Sequence, residues 1–588
     1  MRTKAPAMIT AGLLALLAGL NPVAADVPAA IDRVPANAGM VVAVKNMEGM
    51  KDRVESWAKK LNAPIDEPGD DNPLNMAKKL LGTEGLNKTG SMAIAMMPDE
   101  SGQVNFEDEE QRVVMIVPVT SYTSFVKALG ATEAAGTATV SIDGEPAFVK
   151  DIGGGFAAMG PHRESVDGFD GKAGMAAAHA QAMGKTGQQI ADNSDIIVMV
   201  RVAALKDQID EGIAAFKEQG QAAAQMAPQG GDQAVAMIAT MTGIAEAFSR
   251  DGQVGIMGFG LGEAGISIDF GAQFKEGSPS AKFLAVAGNS STFLARVPNQ
   301  PFYFAMAADL TNPGIKQFYK DMEKAQGDNP MGMGFGGMAS NIDKIDGMGF
   351  SMGANRAGIM GLFANTVTFV STADPRGYIT STSNDMKAMN GKDIEGIKFS
   401  VEYAAGAQEI GGVKADTWSM QMDADEENPQ AGMIMMMQQM LFGPDGLSGM
   451  MAPVEKGVVM TMSQNTPLFT KAVDAAKNGN GLAADEQIKA VQAALPKNRV
   501  AEMYLGTKSI MEAINGVMAM GGAGAELAVP AKVSPVGMAA AFDSGGFDFR
   551  IFVPADVITT VAEAAKTMQG EMGEDMEGGD EGGDAPRF

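Results

Sequence analysis

Cysteine is absent from all 588 residues. Its absence excludes disulfides, a lipid-modified cysteine anchor and thiolate metal sites, so stability must come from a packed core. Histidine is nearly absent, with His162 and His179 the whole supply. Basic charge is scarce: 45 Lys and Arg against 71 Asp and Glu leave a formal net charge of −26. Nucleic acid and anionic membrane would be repelled by such a surface, which favours solubility, cation association or a basic partner. Beyond the first 20 residues there is no run of about 18 unbroken apolar residues, so no integral membrane span is expected.

What is present begins with an address. Arg2 and Lys4 precede the apolar stretch Ala7–Leu20, and Val23-Ala24-Ala25 supplies small residues for cleavage before Asp26. This pattern predicts a secretory signal peptide over 1–25 and a periplasmic or secreted mature protein. The rest is long enough for about two to four domains, and apolar residues make up 46% of the chain, enough for a sizeable core.

A short unit recurs. Val34-Pro35 leads to the apolar run Met40–Val44 and the helical segment Met47–Lys60. Val297-Pro298 leads to Phe302–Ala308 and Ile315–Lys324, and Leu495-Pro496 to Val500–Leu505 and Ser509–Met518. A prolineless fourth copy spans Asp195–Ile209. Proline disfavours helix in the residue before it and so closes the preceding segment. The apolar runs are too short for helices, and the segment after each run carries apolar positions at helical spacing: Met47, Met50, Val54 and Trp57 share one face in the first copy. A strand pair recurs as well, Val254–Leu261 with Gly265–Phe270 matching Val536-Gly537-Met538 with Gly546-Phe547-Asp548-Phe549, and Gly347–Gly353 with Gly358–Phe363 forming a third version.

Between these units, Asp66–Asn75 reads as a turn before a short helix near Met76–Leu81. Ser91–Met97 and Arg112–Val119 read as strands around an acidic loop that contains Glu107–Glu110. Tyr122–Leu129 is helical, and Ala138–Ile142, Pro146–Lys150 and Phe156–Met159 are strands. An alanine-rich helical hairpin is expected over 203–249, broken at Pro228–Gly231 and resuming with Asp232 as N-cap. In the second half the pattern predicts strands near Lys398–Tyr403, Lys414–Met422 and Gly457–Met462, and helices near Ala431–Leu441, Pro467–Ala476 and Asp485–Ala494. The resulting expectation is an α+β protein of two related halves, 26–290 and 291–569, each a curved antiparallel sheet packed against helices. Gly570–Phe588, almost without apolar residues, is expected to be a disordered acidic tail.

Few motifs carry chemistry. Gly349-Phe350-Ser351-Met352-Gly353 matches the G-x-S-x-G nucleophile elbow, but both histidines precede Ser351, whereas in that fold the base comes after the serine. The repeated strand Gly258-Phe259-Gly260-Leu261-Gly262 also explains its glycines. Gly332-x-Gly334-x-x-Gly337 has dinucleotide-fingerprint spacing but comes after a helix and Asn329-Pro330, not a strand. Asp423-Ala424-Asp425-Glu426-Glu427-Asn428 opens like a calcium loop, with Asn428 in place of the glycine and Ile434 in place of the closing glutamate. Methionine is abundant at 47 residues, clustered at Met331, Met333 and Met338 and again at Met433, Met435, Met436, Met437 and Met440. Thioethers suit Cu(I), and they equally fill cores and adaptable apolar surfaces. These motifs assign no catalytic, cofactor-binding or metal-ligating residue.

The recurring Pro, strand, helix unit, with Val113–Val119 leading into Ser121–Gly130, resembles large exported proteins of unknown function from planctomycete-like bacteria. The resemblance implies an exported, duplicated α+β protein without catalytic features, and brings no functional residues with it. The functional expectation is a non-enzymatic envelope protein that binds a macromolecular partner, such as another protein, or an apolar ligand. The alternatives are a hydrolase of serine type, using Ser351, or of carboxylate type, and a protein that binds calcium or Cu(I).

Overall fold

The computed structural model describes residues 28–61, 80–104, 112–131, 136–142, 144–226, 231–326, 341–355, 361–394, 397–424, 431–443, 446–520 and 527–577. The expected signal peptide, the expected Asp66–Asn75 turn, the expected Glu107–Glu110 loop, the fingerprint-like glycines and the Met331–Met338 cluster lie outside them, as does the calcium-like segment from Asp425. Chain contacts divide the molecule into two compact units. One comprises Met1–Ala287, Lys324–Asp328 and Ala540–Ile551, and the other Gly288–Glu323, Asn329–Ala539 and Phe552–Phe588.

In the first unit, β1 (Met40–Val44) is followed by α1 (Met47–Leu61), β2 (Met92–Met96), β3 (Val113–Pro118) and α2 (Tyr122–Ala128). Next come β4 (Thr137–Ile142), β5 (Glu145–Gly153), β6 (Phe156–Gly160), α3 (Arg163–Gly168) and α4 (Ala176–Asn193). β7 (Ile196–Arg201), α5 (Lys206–Met226), α6 (Gly231–Asp251), β8 (Gly252–Gly262), β9 (Gly265–Phe274) and α7 (Pro279–Phe283) complete the run. The ladder order is β4-β5-β6-β3-β2-β1-β7-β8-β9, antiparallel at every step. The far edge of β9 is taken by the strand Gly546–Pro554. One core lies around Val41, Ala95, Ile116 and Ile197, another around Met47, Met50, Val117 and Phe125.

In the second unit, α8 (Ser291–Leu294), β10 (Phe302–Asp309), α9 (Pro313–Gln326), β11 (Ile345–Gly353), β12 (Thr366–Thr372) and α10 (Pro375–Met389) come first. They lead to β13 (Asp393–Ile394), β14 (Ile397–Ile410), β15 (Val413–Ala424), α11 (Ala431–Phe442), β16 (Leu447–Val454) and β17 (Gly457–Thr461). α12 (Thr466–Asn478), α13 (Glu486–Ala494), β18 (Arg499–Leu505), α14 (Thr507–Met520), β19 (Val536–Asp543), β20 (Gly546–Pro554) and α15 (Ala555–Glu577) close the chain, with residues 540–551, the end of β19 and most of β20, belonging to the first unit. The order β18-β10-β11-β12-β17-β16-β15-β14-β13 is again antiparallel throughout. Its largest core gathers Val297, Phe369, Met450, Phe469, Val491 and Tyr504.

The expectation of two halves, each with its own curved antiparallel sheet, is overturned: the strands belong to a single 20-stranded sheet. Periodicity reports which residues form a strand and which face is buried, but not whether a strand edge ends a sheet or carries the ladder onward. An unpaired edge exposes a row of N–H and C=O groups, so continuing the ladder is one way to satisfy it. All four sequence copies do form a strand and then a helix. They pair two by two, β1 with β7 and β10 with β18.

Three further details differ from expectation. Of the expected strand Gly358–Phe363, residues 358–360 lie outside the described residues and 361–363 form part of a turn, and the partner of β11 is β12. α6 begins at Gly231, one residue before its expected Asp232 cap. α15 continues to Glu577, past Gly570 where the acidic tail was expected to start.

Candidate functional site

The residues singled out in the sequence do not converge. Ser351 is fully buried in the middle of β11, opposite Ala305 on β10 and Val367 on β12. A nucleophile elbow needs its serine on a sharp turn from strand to helix, and β11 has no such turn at Ser351. His179 is buried in α4 with Nε2 2.9 Å from the Val34 carbonyl, and burial lowers its pKa, so the ring is held neutral. Met47, Met50, Met92, Met183, Met450 and Met451 are buried core side chains, which is the filler use of methionine. In the second methionine cluster, Met436 on α11 is 68% exposed. Among the described residues no group of three or more His, Asp or Glu side chains is placed to hold a metal ion.

The structure reveals a carboxylate pair that the sequence did not mark. Alternation along β20 puts Gly546, Asp548, Arg550 and Phe552 on its buried face, and Asp269 is fully buried on the neighbouring β9. Arg550 Nε donates to Asp269 Oδ1. One oxygen of each carboxylate, Asp269 Oδ2 and Asp548 Oδ1, is buried without a hydrogen-bond partner among the described residues. Helix α4 covers this face: Ile190 packs where a side chain at Gly271 of β9 would sit, and Thr186 where one at Gly546 would. α4 also ties itself to the turn after β19, with Thr186 Oγ1 donating to the Asp543 carbonyl at 3.1 Å and Lys185 paired to the Asp543 carboxylate. Gly184 lets the helix kink here at φ 61°, leaving room for the Gln273 side chain. Neither carboxylate lines the cavity at Gly288–Ser291 and Lys497–Arg499 or the one at Glu48, Lys51, Leu81 and Lys88.

Burial pushes Asp548 up to about 7, with the neighbouring Asp269 charge acting in the same direction and Arg550 opposing. The native state therefore keeps a proton that the unfolded chain releases near pH 4. This contribution to stability is complete below that pH and is lost as pH rises through 7. Asp548→Asn is expected to flatten this dependence and to raise stability at pH 8 by about 2–4 kcal/mol. Urea unfolding of both proteins at pH 5 and pH 8 measures it.

The candidate interaction surface is the helical hairpin α5–α6. Its base is anchored: Phe248 meets Phe274 edge-on at 6.2 Å, and Asp251 accepts from Arg250 Nε at 2.7 Å and from Ser280 Oγ at 2.7 Å. Ser249 donates to Asp210 across the two helices, and Lys217 reaches Glu246 at 3.3 Å. Gly220 permits close approach, since a side chain there would collide with Ile238. Away from the base the helices present apolar side chains to water: Phe216 is 43% exposed, Val235 45%, Met241 53% and Ile244 57%. Met241, Ile244 and Phe248 fall at i, i+3 and i+7, one stripe that begins on the body at Phe248 and continues into solvent. The hairpin was legible in the sequence. Its exposed stripe was not, because periodicity identifies an apolar face without saying whether anything covers it.

No helix among the described residues is long and apolar enough to cross a membrane. No protein-family model, curated protein or solved structure matches the chain.

Proposed function

We propose that the protein is an exported, non-enzymatic component of the cell envelope that docks another protein through the α5–α6 hairpin. The observation that carries this reading is the exposed stripe of Met241 and Ile244 on a hairpin whose base is fixed by Phe248 and Asp251. Large exposed apolar surfaces on soluble proteins mark interaction sites, and methionine adapts to varied partners. A protein partner is favoured over an apolar ligand because two cavities among the described residues have charged or polar linings: Lys497, Arg499 and Ser291 in one, Glu48, Lys51 and Lys88 in the other. The Arg2–Ala25 leader and the resemblance to exported bacterial proteins support the envelope address.

The double variant Met241→Asp, Ile244→Asp is expected to lose the partner that co-purifies stoichiometrically with the wild-type protein, with its thermal midpoint unchanged within about 2 °C because both positions face water. Quantitative affinity purification alongside thermal unfolding checks both halves of this expectation. An unchanged co-purification profile with a folded variant would count against the hairpin.

A further inference from the structure

The α5–α6 hairpin has two unlike faces. Gly220 opposite Ile238, and Ser249 donating to Asp210, fix the line along which the two antiparallel helices touch. Lys217 pairs with Glu246 at 3.3 Å to one side of that line, so residues turned to that side of either helix share a face. Asp210, Lys217, Glu246 and Arg250 lie there, with Val235 among them. Helical spacing turns Gly212, Phe216 and Gln219 of α5, and Met241, Ile244 and Phe248 of α6, to the other face. None of these six is charged.

The uncharged face has both relief and size. The contacts along the helix line set Phe216 level with the segment between Met241 and Ile244, so the three exposed side chains form one raised cluster at mid-height. One turn toward the base, a side chain at Gly212 would meet nothing within 4 Å, which leaves a gap beside the cluster. A helix of 21 residues is about 31 Å long, and two helices packed about 10 Å apart present a face about 20 Å wide. Such a face offers about 600 Å² per copy, and two of them bury about 1,200 Å², the lower bound of stable protein interfaces.

We propose that the hairpin docks on the hairpin of a second copy of this chain, forming a four-helix bundle about a two-fold axis through the uncharged face. This inference rests on the docking role proposed above and names its partner. A two-fold contact needs knob and hole on one surface, and Phe216 beside Gly212 supplies them. A basic partner, which the net charge of −26 invites, finds no acid on this face to pair with, and an equally acidic copy meets no like charge at the contact. An anionic membrane is repelled by Asp207, Glu211 and Glu218, exposed along the outer edge of α5.

The test is sedimentation velocity of the full-length mature protein at concentrations up to about 100 μM, above the micromolar Kd of the weaker interfaces of this class. Wild-type protein is expected to sediment as a dimer. Met241→Asp places like charges against each other across the two-fold axis and is expected to raise the dimer Kd roughly a hundredfold. Gly212→Leu fills the open gap without striking its own neighbours, so the monomer stays folded while the dimer Kd is expected to rise roughly tenfold. Ala214→Asp, an exposed position turned to the charged side of α5, is expected to leave the dimer intact. Far-UV circular dichroism verifies that each variant is folded. A dimer that survives both Met241→Asp and Gly212→Leu, or is lost equally in Ala214→Asp, overturns the proposal. A wild type that stays monomeric also overturns it; a photo-crosslinked adduct from position 244 to a different chain then leaves the docking role standing, and the absence of any adduct overturns both.

Discussion

Replacing Arg550 with alanine is expected to destabilise the protein by about 3–5 kcal/mol at neutral pH, because it strips the counter-charge from the buried Asp269 carboxylate. Arg550 and Asp269 are both almost entirely shielded from water, and Asp548, which keeps its proton up to about pH 7, sits beside them. With the guanidinium gone, Asp269 must bind a proton or remain charged without solvation, and both options cost energy at pH 7. The loss therefore shrinks at low pH, where the unfolded chain is protonated as well. Adding Asp269→Asn and Asp548→Asn to the alanine variant is expected to recover more than half of the loss, since it removes the charges and keeps the volume. Urea unfolding of the wild type and these variants at pH 5 and pH 7.5 makes the comparison. A loss below about 1 kcal/mol in the single variant would mean that the pair is reached by water and is not a buried charge network.

Glu502→Ala has the second large effect, expected at about 3–4 kcal/mol. Glu502 Oε2 accepts from Tyr504 Oη at 2.7 Å, Arg499 Nε at 3.0 Å and Gln492 Nε2 at 3.1 Å, and its side chain is wholly inaccessible. Alanine leaves three donors facing a void, one of them charged. Burial, reinforced by the Glu502 charge, pushes the Tyr504 phenol well above its ordinary value, so tyrosine cannot ionise to take the carboxylate's place. Glu502→Gln retains an acceptor oxygen and is expected to lose only about half as much. Denaturant unfolding of both variants gives the two numbers.

Local elements are legible where composition and period agree. The strand and helix of each recurring unit, the hairpin with its break near Pro228, and the glycine-punctuated pair β8–β9 all lie close to where the residue pattern puts them. Helix α4 carries a weak signal because Gly184, Gly187 and its glutamines blur the apolar period, although Met183 and Ile190 are fully buried. Strand β16, Leu-Ser-Gly-Met-Met-Ala-Pro-Val, is almost free of β-branched residues and owes its conformation to β15 and β17 on either side. Strand β12, rich in threonine and valine, has a clear signal of its own. The repeat analogy instead assigns its role to Gly358–Phe363, whose described residues 361–363 form a turn.

The long-range facts are of another kind. A single continuous ladder cannot be read from strand patterns, because edge and interior strands can share one alternation. The charges that matter can be flagged by phase alone: in Arg-Val-Ala-Glu-Met-Tyr-Leu, Glu502 falls on the same face as Val500 and Tyr504, and in Gly-Phe-Asp-Phe-Arg both charges share a face with Phe552.

The most direct test of the docking role is a photoreactive amino acid placed at position 244 in cells that express the protein. A partner docked on α6 yields one discrete heavier adduct, lost when Met241 is also changed to aspartate and absent when the probe sits at the exposed position 532. If positions 216, 241 and 244 all fail to give an adduct while the protein is folded, the hairpin stands free and the docking role is wrong.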